Sequence, residues 1–255
     1  MKISIITATF NSASTIESCM QSVLQQTHQD IELILMDGGS TDETLKIIET
    51  VSKNDPNTKI ILTSRPDSGI YEALNKGISI ATGDVIGIVH SDDLLVQNTI
   101  LEKISNIFQE QNVDGLYGDL HYVKAQNTNR VIRNWKSQPF KSNLLKKGWM
   151  PAHPTLFLKR EVYTQEGIFN TNIKIASDYD LVLRIFKNPD YKWYYLPEVI
   201  CKMRLGGNSN KSIKNILQKS YEDYKAIKAN KISKFPFWVL LSKNLSKIPQ
   251  FFKGT

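Results

Sequence analysis

Residues 31–51 read IELILMDGGSTDETLKIIETV, and their reading decides the fold. Residues 31–36 are a mainly apolar run of strand length, the pattern of a strand buried in a parallel sheet. Asp37, Gly38, Gly39 and Ser40 punctuate a turn, and Ser40 with Glu43 three residues later has capping-box spacing. Leu45, Ile47, Ile48 and Val51 then keep a helical face. A strand, a tight polar turn and a helix follow one another without slack.

The same unit repeats on both sides. Upstream, residues 3–7 form a short β-branched run, Ser14 and Glu17 repeat the capping-box spacing, and Ile16, Met20, Val23 and Leu24 line a helix. Downstream, residues 59–63 read as a strand, 70–81 as a helix and 85–89 as a strand that ends directly in Ser91, Asp92 and Asp93. The order βαβαβαβ predicts an α/β protein with a mostly parallel, Rossmann-like sheet and helices on both faces. Such sheets bind ligands at the carboxyl ends of their strands. Four polar loops converge there: Ala8-Thr9-Phe10-Asn11, Asp37-Gly38-Gly39-Ser40, Arg65-Pro66-Asp67-Ser68-Gly69 and Ser91-Asp92-Asp93.

Beyond residue 112 the pattern is mixed. Residues 115–123 and 131–136 read as strands around a polar loop at 126–129, so the sheet gains antiparallel strands. Residues 149–154 form a Pro-punctuated loop, and 178–186 a helix packing through Leu181, Leu183 and Ile185. Gly206-Gly207-Asn208-Ser209 is a breaker, after which Ile213, Ile216, Leu217, Tyr221, Tyr224 and Ile227 share one helical face. This divides the chain into a domain over residues 1–205 and a basic, amphipathic helical C-terminal extension over 206–255.

The chain has 255 residues, 41% hydrophobic and 22% charged, which suits one large domain with an appendage and excludes a disordered or collagen-like chain. Of its net charge of +7, the segment from Lys211 onward carries +8, leaving a nearly neutral body. A neutral body with a cationic tail points away from nucleic acid and toward an anionic membrane surface or partner. The tail interleaves its lysines with Phe235, Phe237, Trp238, Phe251 and Phe252, as an interfacial segment does; a helical lid on the domain or a homodimer contact is the competing reading. Cys19 and Cys201, without a CxxC, read as buried thiols. The N-terminus lacks the pattern of a secretion signal and the apolar stretch at 235–241 is too short to span a bilayer, so a cytoplasmic protein is expected.

Adjacent carboxylates at the end of a buried strand are costly unless a cation compensates, so Asp92 and Asp93 suggest a hard divalent metal, Mn2+ or Mg2+. The bland alternative makes Asp93 a helix cap. An ion held by few carboxylates completes its shell with phosphate oxygens, which points to a nucleotide diphosphate. Neither GxxxxGK[ST] nor GxGxxG is present, which weakens kinase and dehydrogenase readings.

With SIITATFN at 4–11, MDGGSTDET at 36–44, RPDSGIYEALNKGISIATGD at 65–84 and HSDD at 90–93, the chain resembles the inverting glycosyltransferases of family 2, which have a GT-A fold. The resemblance covers roughly residues 1–205. It implies a sugar-nucleotide donor, most often a UDP-sugar. By position it implies that Ala8, Thr9 and Phe10 line the nucleoside pocket, that Asp37 bonds the uracil, and that Arg65 and Asp67 border base and ribose. Ser91 and Asp92 complete the donor set, Asp92 matching the metal-binding carboxylate of the family's DxD motif. His90 replaces the first Asp of that motif.

Inverting transfer needs a base that takes a proton from the acceptor hydroxyl as it attacks from the face opposite the diphosphate. Ser177-Asp178-Tyr179-Asp180 resembles the family's acceptor motif and assigns the base to Asp178, with Ser177 in place of the usual Glu and Asp180 as rival. His153 is a candidate for the acceptor side or a further metal ligand, and Trp149 for a sugar platform or plain core packing. Composition and tail suit a saccharide acceptor linked to undecaprenyl diphosphate, in surface polysaccharide (O-antigen or capsule) assembly at the inner face of the cytoplasmic membrane. Two competing readings are a nucleotidyltransferase, which would carry a Gly-rich basic N-terminal loop, and a catalytically silent sugar-nucleotide binder.

Overall fold

Every residue of strand β1 (Ile3–Thr9) is buried, because its β-branched side chains are covered on both faces of the sheet. It lies between two parallel neighbours, β2 (Ile31–Asp37) and β4 (Val85–Ile88), and β2 pairs in parallel with β3 (Lys59–Ser64). Alternation sorts the side chains into two cores. Ile5, Leu33 and Leu35 face one, while Ile6, Ala8, Ile34 and Met36 face the other. Helices α1 (Ile16–Leu24), α2 (Thr44–Asn54) and α3 (Ile70–Ile80) are the crossovers, so the expected βαβαβαβ order is present. The computed structural model describes residues 1–206 and 213–245.

Gly77 sits mid-helix in α3, where a Cβ would stand 2.5 Å from Ile6 Cγ2. The missing side chain lets α3 lie close on β1, offsetting a helix-propensity cost of about 1 kcal/mol.

Past β4 the sheet turns mixed. The order is β3-β2-β1-β4-β8-β6-β9-β5, with β5 (Asp93–Leu95), β6 (Gly115–Lys124), β8 (Phe157–Lys159) and β9 (Trp193–Arg204), and β7 (Asn127–Trp135) pairs with β6. The polar stretch expected as a loop at 126–129 is therefore mostly strand, its exposed asparagines lying on an edge hairpin that needs no apolar alternation. Strand β9 is an addition to the elements expected from the sequence. Pro197 interrupts it, and the register shift between the Tyr117–Tyr195 and Asp119–Val199 pairs accommodates a residue with no N–H to donate. Helices α4 (Ile100–Gln111), α5 (Arg160–Glu166) and α6 (Ser177–Phe186) complete the body.

Neither expected capping box forms. The N-cap positions of α1 and α2 are Thr15 and Glu43, without side-chain cap bonds. Asp42 instead accepts the Thr44 N–H (3.0 Å) and the Ala13 N–H (3.1 Å), and Ser40 Oγ donates to Asp37. Carboxylates in the loops compete better for these donors than serine hydroxyls do.

The C-terminal helices α7 (Ile213–Ala229) and α8 (Pro236–Leu245) pack on the body, α7 through only part of the expected face, the end that carries Tyr224 and Ile227. Ile216, Leu217 and Tyr221 are 50%, 67% and 58% exposed, while Glu222, Asp223, Ala226, Ile227 and Asn230 are buried. The surface beneath offers polar partners, so a polar stripe turns inward. Lys243 of α8 and Asp223 of α7 form a buried 2.9 Å ion pair, with Lys243 Nζ 3.1 Å from the Tyr179 ring centroid. Phe235, Phe237 and Trp238 are exposed, and Phe251 and Phe252 lie outside the described residues. Among the described residues no helix is long and apolar enough to cross a membrane. Cys19 and Cys201 are free and buried, as expected.

Glu32 stitches the opposite edge of the sheet from the ligand-binding end. Fully buried, it accepts from Ser4 Oγ (2.6 Å) and Thr82 N (2.6 Å) and pairs with Lys2 (2.7 Å). Burial alone would raise its pKa, but these donors outweigh burial and hold the carboxyl far below the usual range. Its contribution to stability is therefore complete above about pH 4.5, the unfolded value, and drains as the pH falls below it. Glu32→Ala is expected to cost about 2–4 kcal/mol and to flatten the acid limb of stability, read from urea melts between pH 3 and 7.

Candidate active site

The polar loops after β1, β2, β3 and β4 are knitted into one edge by short hydrogen bonds. Gly38 N–H donates to Thr9 O (2.9 Å) and Arg65 N–H to Asp37 O (2.9 Å), so the second loop bridges the first and third. Asn11, in the left-handed region at φ 48°, accepts the Thr41 N–H through Oδ1 and donates its own N–H to Ser40 Oγ. Ser12 Oγ lies 2.9 Å from Ser91 Oγ, joining the fourth loop to the first.

Asp37 is buried at the centre of this edge. Its Oδ2 accepts from Gly39 N, Ser40 N and Ser64 Oγ at 3.0, 2.9 and 2.6 Å, and its Oδ1 from Ser40 Oγ. The turn needs Gly39 at φ 87° to present both amides. One oxygen is saturated while the other keeps room for a further donor. Ala8 and Thr9 are buried beside it, whereas the Phe10 ring is 61% exposed at the rim. Asp67 accepts the Gly69 N–H and packs so closely on Gly38 that a Cβ there would stand 2.9 Å from its Oδ2; Arg65 reaches outward, exposed.

The adjacent carboxylates at the end of β4 part ways. Asp92 is half-buried in the loop, its carbonyl gripped by Arg204 Nη1 (2.7 Å), while Arg204 Nη2 holds Ser18 Oγ of α1 (2.9 Å). Asp93 begins β5 opposite Met203 and turns inward, fully buried, with neither carboxyl oxygen hydrogen-bonded. Burial, then the charge of Asp92, pushes its pKa well above the carboxylate range. Nothing in the sequence around Arg204 signals its role, because its partners lie over a hundred residues upstream.

Beside Asp92 the fold assembles two histidines and a third carboxylate. The rings of His90 and His153 lie 5.7 Å apart, and His153 stands edge-on to Phe169 at 5.8 Å. Both nitrogens of His153 and Nδ1 of His90 are buried without a hydrogen-bond partner. Burial lowers the pKa of both rings; Asp178 pulls His153 upward and His90 pushes it down, leaving it at about 4. His153 is therefore neutral at pH 7 with an unshared lone pair. Asp92 and Asp178 both act on the His90 ring, so the two carboxylates share its neighbourhood.

Asp178 lies in the first turn of α6, half-buried, with Oδ1 accepting the Tyr179 N–H (2.8 Å). Asp180 is committed elsewhere, to Arg184 Nε (3.1 Å) and Asn230 Nδ2 (2.9 Å). Ser177 is buried with its hydroxyl unpartnered. Trp149 packs among Tyr117, Phe140 and Phe186 at centroid distances of 5.6, 5.6 and 5.5 Å.

Among the described residues no three His, Cys, Asp or Glu side chains gather into a ready metal shell. The half-buried carboxylate of Asp92, whose charge reaches the His90 ring with its unpartnered Nδ1, nonetheless fits an ion that takes few protein ligands and completes its shell from a diphosphate and water.

The sequence profile of the family described as Glycosyl transferase family 2 matches residues 4–167. A PGL/p-HBAD biosynthesis glycosyltransferase of Mycobacterium bovis is 32% identical over 216 residues, 81% of this chain and 78% of that protein. A chondroitin synthase of Pasteurella multocida is 30% identical over 215 residues, 84% of this chain but 22% of that much longer protein. Among solved structures, S. aureus TarS 1-349 in complex with UDP-GlcNAc superposes with a TM-score of 0.65 at 17% identity, covering 100% of this chain and 79% of that one. The mannosyltransferase PcManGT of Pyrobaculum calidifontis, in complex with GDP-Man and Mn2+, gives 0.64 at 19% identity, covering 100% and 76%. These superpositions carry the fold, which is GT-A, while the profile and the relatives carry the ancestry. A sheet edge built from four loops that resemble one family's motifs, and a profile match running through all four, have one explanation: the chain belongs to glycosyl transferase family 2.

Proposed function

We propose that the protein transfers a sugar from a UDP-sugar to a saccharide hydroxyl with inversion. The observation that carries this reading is that the charges of Asp92 and Asp178 both reach the His90 ring, which faces His153 at 5.7 Å, while the Asp37 turn offers an acceptor to a nucleobase N–H. Asp37 Oδ1 would take the uracil N–H, the exposed Phe10 ring would cover the base, and Arg65 and Asp67 would border base and ribose, with Ser91 toward the phosphates. Asp92, with His153, would hold a divalent ion, Mn2+ or Mg2+; such an ion, when bound, neutralises charge on the leaving diphosphate. Asp93, sealed below, supports that loop from within.

On the other flank Asp178 would accept the proton of the attacking hydroxyl. A carboxylate there acts as base while the opposite face of the sugar is occupied by the departing diphosphate, which yields a β-linked product from an α-linked donor. Trp149 sits in an aromatic cluster behind this flank, where it would shape the acceptor side by packing.

The acceptor is proposed to be displayed on a lipid diphosphate, as in surface polysaccharide assembly, with the protein peripheral to the membrane. The support is the outer face of α7 and α8, where Leu217, Tyr221, Phe235, Phe237 and Trp238 are exposed among lysines. The test incubates the protein and Mn2+ with UDP-, GDP- and dTDP-sugars, with and without a saccharide on undecaprenyl diphosphate in phosphatidylglycerol vesicles. UDP release that requires the acceptor and is lost in EDTA is expected, with protein co-sedimenting with these vesicles but not with phosphatidylcholine. Tight UDP binding without turnover on any acceptor would reverse the enzymatic reading.

A further inference from the structure

We propose that helix α7 is a positioning element for the acceptor-side base, with Glu222 and Tyr71 clamping from two sides the loop that sets Asp178. The proposal rests on the reading of Asp178 as that base. Residues 174–176, which lead into α6, have no regular secondary structure of their own. Three consecutive amides of this segment converge on one carboxylate: Lys174 N–H donates to Glu222 Oε1 (3.3 Å), and the Ile175 and Ala176 N–H groups to Oε2 (2.8 and 3.0 Å). Successive amides point at one anion only when the backbone curls into a concavity, so the Glu222 charge sets the curl of the loop. Ala176 is the N-cap residue of α6, and a negative charge there also suits the helix dipole.

Glu222 is buried and held in place by Gln218 Nε2 (2.9 Å). Burial would raise its pKa, but the hydrogen bonds from Gln218 and from the three amides outweigh burial and lower it, so it is ionised wherever the enzyme works. From the other side Tyr71 Oη donates to Ile175 O (2.7 Å), and its ring stacks on Phe169 at 5.4 Å. Tyr71 opens α3 directly after the Arg65–Gly69 loop, so a donor-side motif and the extension grip the same peptide. Further along α6, Asn230 holds Asp180 and the Lys243–Asp223 pair lies against Tyr179. The residues around Asp178 are thus fixed from outside while its own carboxylate takes only the short-range Tyr179 amide among the described contacts. A displacement of about 1 Å in such a group costs on the order of 10²-fold in rate.

The test compares Glu222→Gln and Tyr71→Phe in the full chain by transfer kinetics, UDP titration calorimetry, thermal melting and amide hydrogen exchange. Each variant is expected to lose roughly 10- to 100-fold in kcat, with UDP affinity near wild type and faster exchange at residues 174–178, and with a melting temperature near wild type for Tyr71→Phe but lowered for Glu222→Gln. Combined with Asp178→Asn, Glu222→Gln is expected to cause no further loss, because it acts through Asp178. Wild-type kcat in both single variants while Asp178→Asn is inactive overturns the proposal, as does an equal loss of kcat and UDP affinity. Should Glu222→Gln fail to fold, Tyr71→Phe, which removes one hydroxyl, decides alone. Normal transfer by Asp178→Asn would instead reject the base assignment itself, a result distinct from either.

Discussion

Asp178→Asn is expected to lower kcat for sugar transfer by roughly 10²- to 10⁴-fold, the usual worth of a positioned general base, while leaving UDP affinity unchanged. The substitution is nearly isosteric and retains an oxygen for the Tyr179 N–H, so α6 should start as before. What disappears is the basicity that takes the hydroxyl proton. Asp180→Asn supplies the contrast. Its target carboxylate is bound to Arg184 and Asn230, so the expected outcome is a lowered melting temperature with kcat per folded molecule within about threefold of wild type. Single-turnover rates alongside thermal melts distinguish the two; a full loss of transfer in Asp180→Asn with an intact melt would exchange their roles.

The second large effect is expected for Asp92→Asn, about 10²-fold or more in kcat, together with weakened UDP binding in Mn2+ and unchanged binding in EDTA. The loop itself should survive, because Arg204 grips the Asp92 carbonyl rather than its side chain. The difference between the two titrations isolates the carboxylate's contribution to the diphosphate end of the donor from that of the Asp37 turn, which binds the other end. Equal UDP affinity in wild type and variant under both conditions would remove Asp92 from the donor site. His153→Ala offers a readout of the same pocket: Mn2+-dependent affinity should fall less than in Asp92→Asn, since a neutral imidazole contributes a lone pair but no charge.

The parallel half of the sheet was legible because its information is local. A β-branched run, an Asp-Gly turn and a 3.6-residue periodicity are each contained within a few residues, and every one of β1 to β4 and α1 to α3 appears within about three residues of its expectation. The failures share a different cause. The Ser40 capping box gave way to Asp37, which takes the Ser40 amide and hydroxyl within its own turn, and the other box simply did not form. Strand β9 was missed because Pro197 splits its aromatic and β-branched run, a break that strands β6 and β5 tolerate at a register shift. Helix α7 packs through only part of its expected face, since a carboxylate with three backbone amides to satisfy outranks two exposed leucine-class side chains.

By itself the sequence determined the α/β class, the order of the nucleotide-binding strands and the loops at their carboxyl ends, all properties of short-range pattern. Only the tertiary structure decided that Asp92 lies toward the site while its neighbour Asp93 is sealed inside, and that His90 and His153, distant along the chain, stand ring to ring. It alone brought Glu222 under the loop that carries Asp178. Burial and long-range hydrogen bonding depend on which surfaces meet, and no spacing along the chain encodes that meeting.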